Sequence, residues 1–201
     1  MTEDIGEKKK RLRAKILKIR DALSEEEILE RSRLIKEGIK ALPEFQKAKR
    51  ILLYASFRSE VSTYELMEEL LSKGEKEVFL PVVMGKELRF YRIFSGEETK
   101  KGYMGIPEPS VRDESRLFLP GDPPEDTAVI LPGSVFDEHG GRIGYGGGFY
   151  DRFLKEVPGV TAIGAAFGFQ VIKEDLPAGK WDIKADYAVT ETGVFTGSRI
   201  G

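Results

Sequence analysis

The chain of 201 residues has no cysteine, one histidine and one tryptophan. Without cysteine it can form no disulfide and offers no thiolate nucleophile or thiolate metal ligand, which fits a reducing compartment. The lone histidine, His139, stands beside Gly140 in a turn sequence and reads as exposed and non-catalytic. No apolar run is long enough to cross a bilayer, and the first residues lack the apolar centre of a signal peptide. The expectation is a soluble, cytoplasmic protein with no membrane partner. The formal net charge is −2, so the chain lacks the basic excess of a generic nucleic-acid binder. The common nucleotide motifs are missing as well. There is no Gly-x-x-x-x-Gly-Lys-Ser/Thr, and a Gly-x-Gly-x-x-Gly begun at Gly144 fails at Phe149.

What is present is a 40% hydrophobic composition, enough to build a core, and one domain over residues 1–201 is expected. Residues 7–23 read as a helix with Leu12, Ile16, Ile19 and Leu23 on one face. Ser24 and Glu27 form a capping box that opens a second helix to about Ala41, with Ile28, Ile35, Ile39 and Leu42 inward. A second such box, Ser62 with Glu65, opens a helix to about Ser72. Strand patterns cover 50–56, 77–83, 88–93, 127–131, 161–167 and 186–190. Residues 95–124, rich in proline, glycine and charge, read as a long loop. Strands alternating with helices imply an α/β fold with a mostly parallel sheet. In such sheets ligands gather at the carboxyl ends of strands. The turns at 57–62, 132–148 and 168–175 are therefore candidates to converge on one cleft.

The most informative segment is GGRIGYGGGFYDRFL, residues 140–154, with six glycines in fifteen residues. A glycine-rich stretch can be a plain flexible loop. Here bulky Ile143, Tyr145, Phe149 and Tyr150 interleave the glycines, and the run joins a strand pattern to a helical one. Successive backbone N–H groups ahead of a helix N-terminus form a site for anions, which points to phosphate. Asp151 then stands where a metal-bridged phosphate needs an oxygen ligand, although it also suits the helix dipole or a pairing with Arg152. Lys8, Lys9, Lys10, Arg11 and Arg13 crowd the opening turns of the first helix. That is the wrong sign for its dipole. They are either a solvated, frayed terminus or cations awaiting an anion. Lys9 and Arg13 border the apolar stripe and could reach a neighbouring cleft.

Taken together, KKRLR at 9–13, SEVST at 59–63, GIPEP at 105–109, the run at 131–154 and WDIKADYAVTE at 181–191 resemble the 5-formyltetrahydrofolate cyclo-ligase family over nearly the whole chain. The resemblance implies a three-layer α/β/α arrangement related to sugar-phosphate isomerases and CoA transferases. It implies ATP- and Mg²⁺-dependent closure of 5-formyltetrahydrofolate to 5,10-methenyltetrahydrofolate, with small-molecule partners only and a monomer or weak oligomer. It assigns ATP binding to Lys9, Lys10, Arg11, Leu12 and Arg13, and to Arg142, Ile143, Gly144, Tyr145, Gly146, Gly147, Gly148, Phe149 and Tyr150. Ala55, Glu60 and Phe149 would meet the folate. Asp151 and Asp186 would hold the metal, with Asp182 a competitor. Arg142, Tyr150 and Asp151 are the candidate catalytic residues. Aromatic walls for the folate rings could come from Phe57, Phe149, Tyr150, Phe167 or Trp181, of which Phe149 and Tyr150 lie in the loop. Two departures from the family pattern stand out. Tyr145 and Gly147 replace an arginine and a lysine of some relatives, and Trp181 replaces a histidine. The alternative is an enzyme of related fold acting on a sugar phosphate or CoA ester without ATP. A nucleic-acid binder using the first helix is a third reading.

Overall fold

The structure is a computed structural model and describes residues 4–122 and 124–197. The chain opens with α1 (Ile5–Arg20), α2 (Glu25–Ala41) and α3 (Pro43–Lys47). It continues through β1 (Arg50–Leu52), α4 (Tyr64–Lys73), β2 (Glu77–Met84), β3 (Glu87–Ile93), β4 (Thr99–Lys101) and β5 (Pro107–Pro109). Then follow β6 (Thr127–Leu131), β7 (Val135–Asp137), β8 (Arg142–Ile143), α5 (Phe149–Glu156), β9 (Thr161–Ala165), β10 (Val171–Ile172), β11 (Tyr187–Thr190) and β12 (Gly193–Thr196).

The main sheet runs β12-β11-β9-β6-β1-β2-β3. Its five inner strands are parallel, and β3 and β12 are antiparallel edges. The period-two alternation of the buried strands sorts side chains onto two faces. Ile51, Leu53, Ala128, Ile130 and Ile163 pack with Ile35, Ile39 and Leu66 of α2 and α4. Leu52, Val129, Leu131 and Ala162 pack with Phe153 and Leu154 of α5 and with Phe90 and Phe118. The result is three layers, α/β/α. A smaller sheet, β10-β7-β8, stands beyond the carboxyl ends of the parallel strands, and α1 packs on it through Leu12 and Ile16. Among the described residues no helix is long and apolar enough to cross a membrane.

Several local expectations need correction. The Ser24–Glu27 capping box forms, with both reciprocal hydrogen bonds. The Ser62–Glu65 box does not. Thr63 takes the N-cap position of α4 without a side-chain capping bond, its hydroxyl donating to the Tyr54 carbonyl, while the Ser62 N–H donates to Ser32 Oγ and Glu65 pairs with Lys36. Residues 95–124 are more ordered than a loop, because the β4–β5 hairpin lies within them. Segment 132–148 contains β7 and β8, strands too short to leave a periodic signal. In α1 the expected apolar stripe is broken: Ile19 is 44% exposed while Arg20 is 4% exposed. The dipole conflict also dissolves. The helix starts earlier than expected, with Asp4 as N-cap and Glu7 in its first turn, so the lysines follow an acidic start.

Candidate active site

The loops after β1 and β6 leave the sheet at its carboxyl end and meet α1, the glycine segment and the tip of the β4–β5 hairpin around one cavity of about 610 Å³. That volume suits small-molecule ligands. From α1 the face carrying Lys9, Arg13, Leu17 and Arg20 lines it. Lys10, Arg11 and Leu12, expected beside the nucleotide, are not on this wall. At 100° per residue they turn away from the Lys9–Arg13 side, and Leu12 packs on the small sheet.

Residues 142–151 form the opposite wall. Their placement begins with a turn. Asp137, buried, accepts from the N–H groups of His139 (2.9 Å) and Gly141 (2.7 Å) through Oδ1, and from Leu176 (2.9 Å) through Oδ2. The turn delivers Arg142, itself buried, to the cavity edge. Arg142 Nη1 donates to the Pro132 carbonyl at 3.3 Å, and Nη2 lies 3.1 Å from Asp151 Oδ2. Arg142 Nε has no hydrogen-bond partner among the described residues. Asp151 also accepts from Ile183 N at 3.2 Å. Its ionic partner is therefore Arg142 rather than Arg152. Arg152 donates to the carbonyls of Gly147 and Lys86, both at 2.8 Å, and so pins the loop from outside.

None of the backbone N–H groups of Gly144 to Gly148 donates a hydrogen bond among the described residues. They run directly into α5, whose N-cap is Gly148 at φ +64°. A row of free donors at a helix start is an anion nest. Arg13 sits against it: its Nε donates to the Gly144 carbonyl at 2.8 Å, and its guanidinium lies over Gly146. Lys9 is paired with Asp182, which also accepts from Gly179 N at 2.6 Å.

Asp182, rather than Asp186, shares the cavity wall with Asp151. Asp186 is locked to β9: its N–H donates to the Ala162 carbonyl at 2.8 Å, and its carboxylate accepts from Ala162 N at 2.7 Å. Two hard carboxylates on one wall, beside a nest for phosphate, are a suitable donor set for Mg²⁺, which uses one or two carboxylates plus phosphate oxygens and waters.

At the far end stand Ala55, Phe57 and Glu60. Glu60 Oε2 accepts from Phe57 N at 2.8 Å. Burial pushes the Glu60 carboxyl above its ordinary value of 4.5, against the opposing pull of Tyr145, Phe57 N–H and Arg20. The sign follows from linkage. A carboxyl raised in the folded state adds stability below its unfolded value and loses it as pH rises through the folded one. Glu60→Gln should therefore melt no lower than the parent at neutral pH, with any advantage vanishing toward pH 4, as thermal melts at both pH values would read out.

Phe149 and Tyr150 line the cavity, Phe167 is core, and Trp181 is 63% exposed outside the wall. The 168–175 turn does not reach it. Its Gln170 instead holds the carbonyls of Gly133 and Ser134, at 2.9 and 3.0 Å. His139 is off the wall, 3.8 Å from Asp175. Sequence reasoning missed Arg20, Tyr54, Tyr103 and Met104. For Arg20 a signal existed, since it continues the Lys9–Arg13–Leu17 helical face. Tyr103 and Met104 arrive on the hairpin tip, which Glu108 anchors by accepting from Tyr103 N at 3.1 Å and from Arg112 at 2.8 Å.

The sequence model of the 5-formyltetrahydrofolate cyclo-ligase family matches residues 5–191. The chain belongs to the 5-formyltetrahydrofolate cyclo-ligase family. A cyclo-ligase of that name from Haemophilus influenzae is 32% identical over 88% of this chain and 94% of its own length. One from Mus musculus is 30% identical over 93% and 95%. Among solved structures, the 5,10-methenyltetrahydrofolate synthetase of Aquifex aeolicus superposes with a TM-score of 0.79 at 38% identity, covering 96% of each chain. The family makes this chain an enzyme, a ligase of folate one-carbon chemistry.

Proposed function

We propose that the cavity binds ATP and 5-formyltetrahydrofolate side by side and couples phosphoryl transfer to ring closure. The observation that carries this reading is the row of free N–H groups from Gly144 to Gly148, in a segment that lines one cavity together with Lys9 and Arg13. ATP lies with its phosphates on that row. The folate lies with its pterin toward Glu60, whose carboxylate accepts from adjacent ring N–H donors.

A formyl amide is a poor electrophile because the nitrogen lone pair delocalises into its carbonyl. The formyl oxygen attacks the γ-phosphorus and the bond to ADP breaks. The formyl carbon becomes iminium-like, and N10 of the same folate attacks it. N10 loses its proton, the C–O bond breaks, and phosphate leaves with the former formyl oxygen. The product is the methenyl cation. Ring closure is intramolecular, so holding the folate in a reactive conformer removes much of the barrier. No covalent enzyme intermediate is required, in keeping with a chain that lacks cysteine. Arg142, Lys9 and Arg13 neutralise phosphate charge, and Tyr150, beneath Arg142 with its ring centroid 5.8 Å from the guanidinium, backs that cation. Asp151 and Asp182 would hold Mg²⁺, which when bound would offset charge on the transferred group.

The test follows methenyl product optically with 5-formyltetrahydrofolate, ATP and Mg²⁺. Product formed without ATP, or none formed with it, removes the reading. Arg13→Ala should raise the KM for ATP by about tenfold, the worth of one charge-assisted contact, and leave the folate KM within about twofold. Equal shifts in both constants would take Arg13 off the phosphates.

A further inference from the structure

We propose that Trp181 is the platform on which the purine of ATP stacks, at the edge of the cavity. The inference rests on the reading that places the ATP phosphates on the Gly144–Gly148 row, and it extends that site to the nucleoside.

Trp181 is the one tryptophan of the chain, and the proposed function leaves it unused. Its side chain is 63% exposed. Exposure alone identifies nothing, since single apolar side chains are common on surfaces. Its position is more informative. Asp182, the next residue, is on the cavity wall and pairs with Lys9 of α1. Ile183 N donates to Asp151 Oδ1 at 3.2 Å. The ammonium of Lys155, on α5 one turn beyond Asp151, lies 4.5 Å from the indole centroid. Helical side chains lean toward the N-terminus, so Lys155 reaches back toward the Asp151 end of α5. These three contacts hold residues 181–183 against the start of α5 and against Lys9 of α1. The indole therefore stands beside the two carboxylates proposed for Mg²⁺.

The course of the nucleotide follows from the reaction. The γ-phosphate must face the formyl oxygen, and the folate lies toward Glu60. The α-phosphate and adenosine then run away from Glu60, past Asp151 and Asp182. Space points the same way. A cavity of about 610 Å³ is mid-range for one drug-sized ligand, so ATP and a folate cannot both be enclosed. For ATP the projecting part is the end remote from the reaction, the purine. There it meets a ring that already carries cations, because Lys155 and Lys180 each place an ammonium 4.5 Å from the indole centroid. An exposed ammonium over an aromatic face is a weak contact, and a base stacked on an aromatic side chain is a stronger one. The purine therefore displaces a lysine rather than being excluded by it, and the displaced ammonium becomes available to the α-phosphate.

The experiment follows the emission of the single tryptophan while the chain is titrated, without folate, with Mg-ATP or with magnesium tripolyphosphate, which has the phosphate chain and no base. ATP is expected to quench the emission. Tripolyphosphate should leave it nearly unchanged while competing with ATP in the cyclisation assay. Trp181→Ala should raise the KM for ATP about tenfold, and leave kcat, the folate KM and the inhibition constant of tripolyphosphate within about twofold. Trp181→Phe, which keeps a stacking face, should recover most of the loss. The titration of the parent chain needs no variant, so it decides the matter even where a substitution folds poorly. No quenching by ATP, equal quenching by ATP and tripolyphosphate, or an unchanged ATP KM in Trp181→Ala would overturn the proposal. If tripolyphosphate fails to compete with ATP, the reading of the phosphate row fails, and the proposal with it.

Discussion

Asp151→Asn should lower turnover by about a hundredfold or more and raise the Mg²⁺ concentration needed for half-maximal rate. The amide still accepts from Ile183 N, so the backbone contact at 3.2 Å survives. What is lost is the charge. On the cavity side the carboxylate proposed to hold Mg²⁺ becomes a weaker amide oxygen. On the protein side buried Arg142, 3.1 Å away, loses the carboxylate that balances it. Stranding a buried cation costs about 3 kcal/mol. The variant should therefore also melt lower, by on the order of 10 °C for a chain of this size. The sequence alone suggests an effect on turnover with little on folding, and the ion pair with Arg142 changes that expectation. Rates are to be compared at a temperature where circular dichroism shows both proteins folded. Lost turnover with an unaltered Mg²⁺ dependence would make Asp151 only the counter-ion of Arg142. Unchanged kinetics would remove it from the chemistry altogether.

The layer order and strand polarity were legible because long buried segments report their own period. Residues 128–131 and 51–53 are apolar on both faces, as a strand between two helix layers must be. The convergence of the first helix with the glycine segment was legible from charge, since Lys9 and Arg13 share a helical face. Contacts made across the fold were not. Nothing near Arg20 in the sequence names Ser59 or Tyr145, 39 and 125 positions away. Apolar periodicity favours Ile19 on that turn, yet hydrogen bonds from distant loops bury its polar neighbour. The choice between Asp182 and Asp186 was hidden for the same reason. Both sit in one short segment, and only pairing with Ala162 shows that Asp186 belongs to the sheet. The Ser62–Glu65 box failed because Ser32 and Lys36 of α2 offered those groups tertiary partners.

Gly140→Ala should be the most destabilising of the single-methyl changes considered, by about 3 kcal/mol or more. Gly140 has φ +85°, a conformation that strains any residue with a Cβ. Strain alone is worth about 1 kcal/mol or more. The added carbon would also collide with the Ala185 carbonyl oxygen, a backbone atom that cannot rotate aside. Relief requires the 137–141 turn to part from the segment before β11. That motion breaks the 2.8 Å bond from Ala185 N to the Gly140 carbonyl and disturbs the N–H groups that satisfy Asp137. Arg142 lies two residues further on, so its placement beside Asp151 suffers with the turn. Asp182, three residues before Ala185, is displaced from the other side. Gly121→Ala is the control, since a Cβ there meets nothing within 4 Å. It should stay within about 0.5 kcal/mol of the parent. Chemical denaturation of both variants decides the matter. A Gly140→Ala protein as stable as Gly121→Ala would mean that the turn supporting Arg142 yields freely, and with it the rigidity assigned to the phosphate end of the cavity.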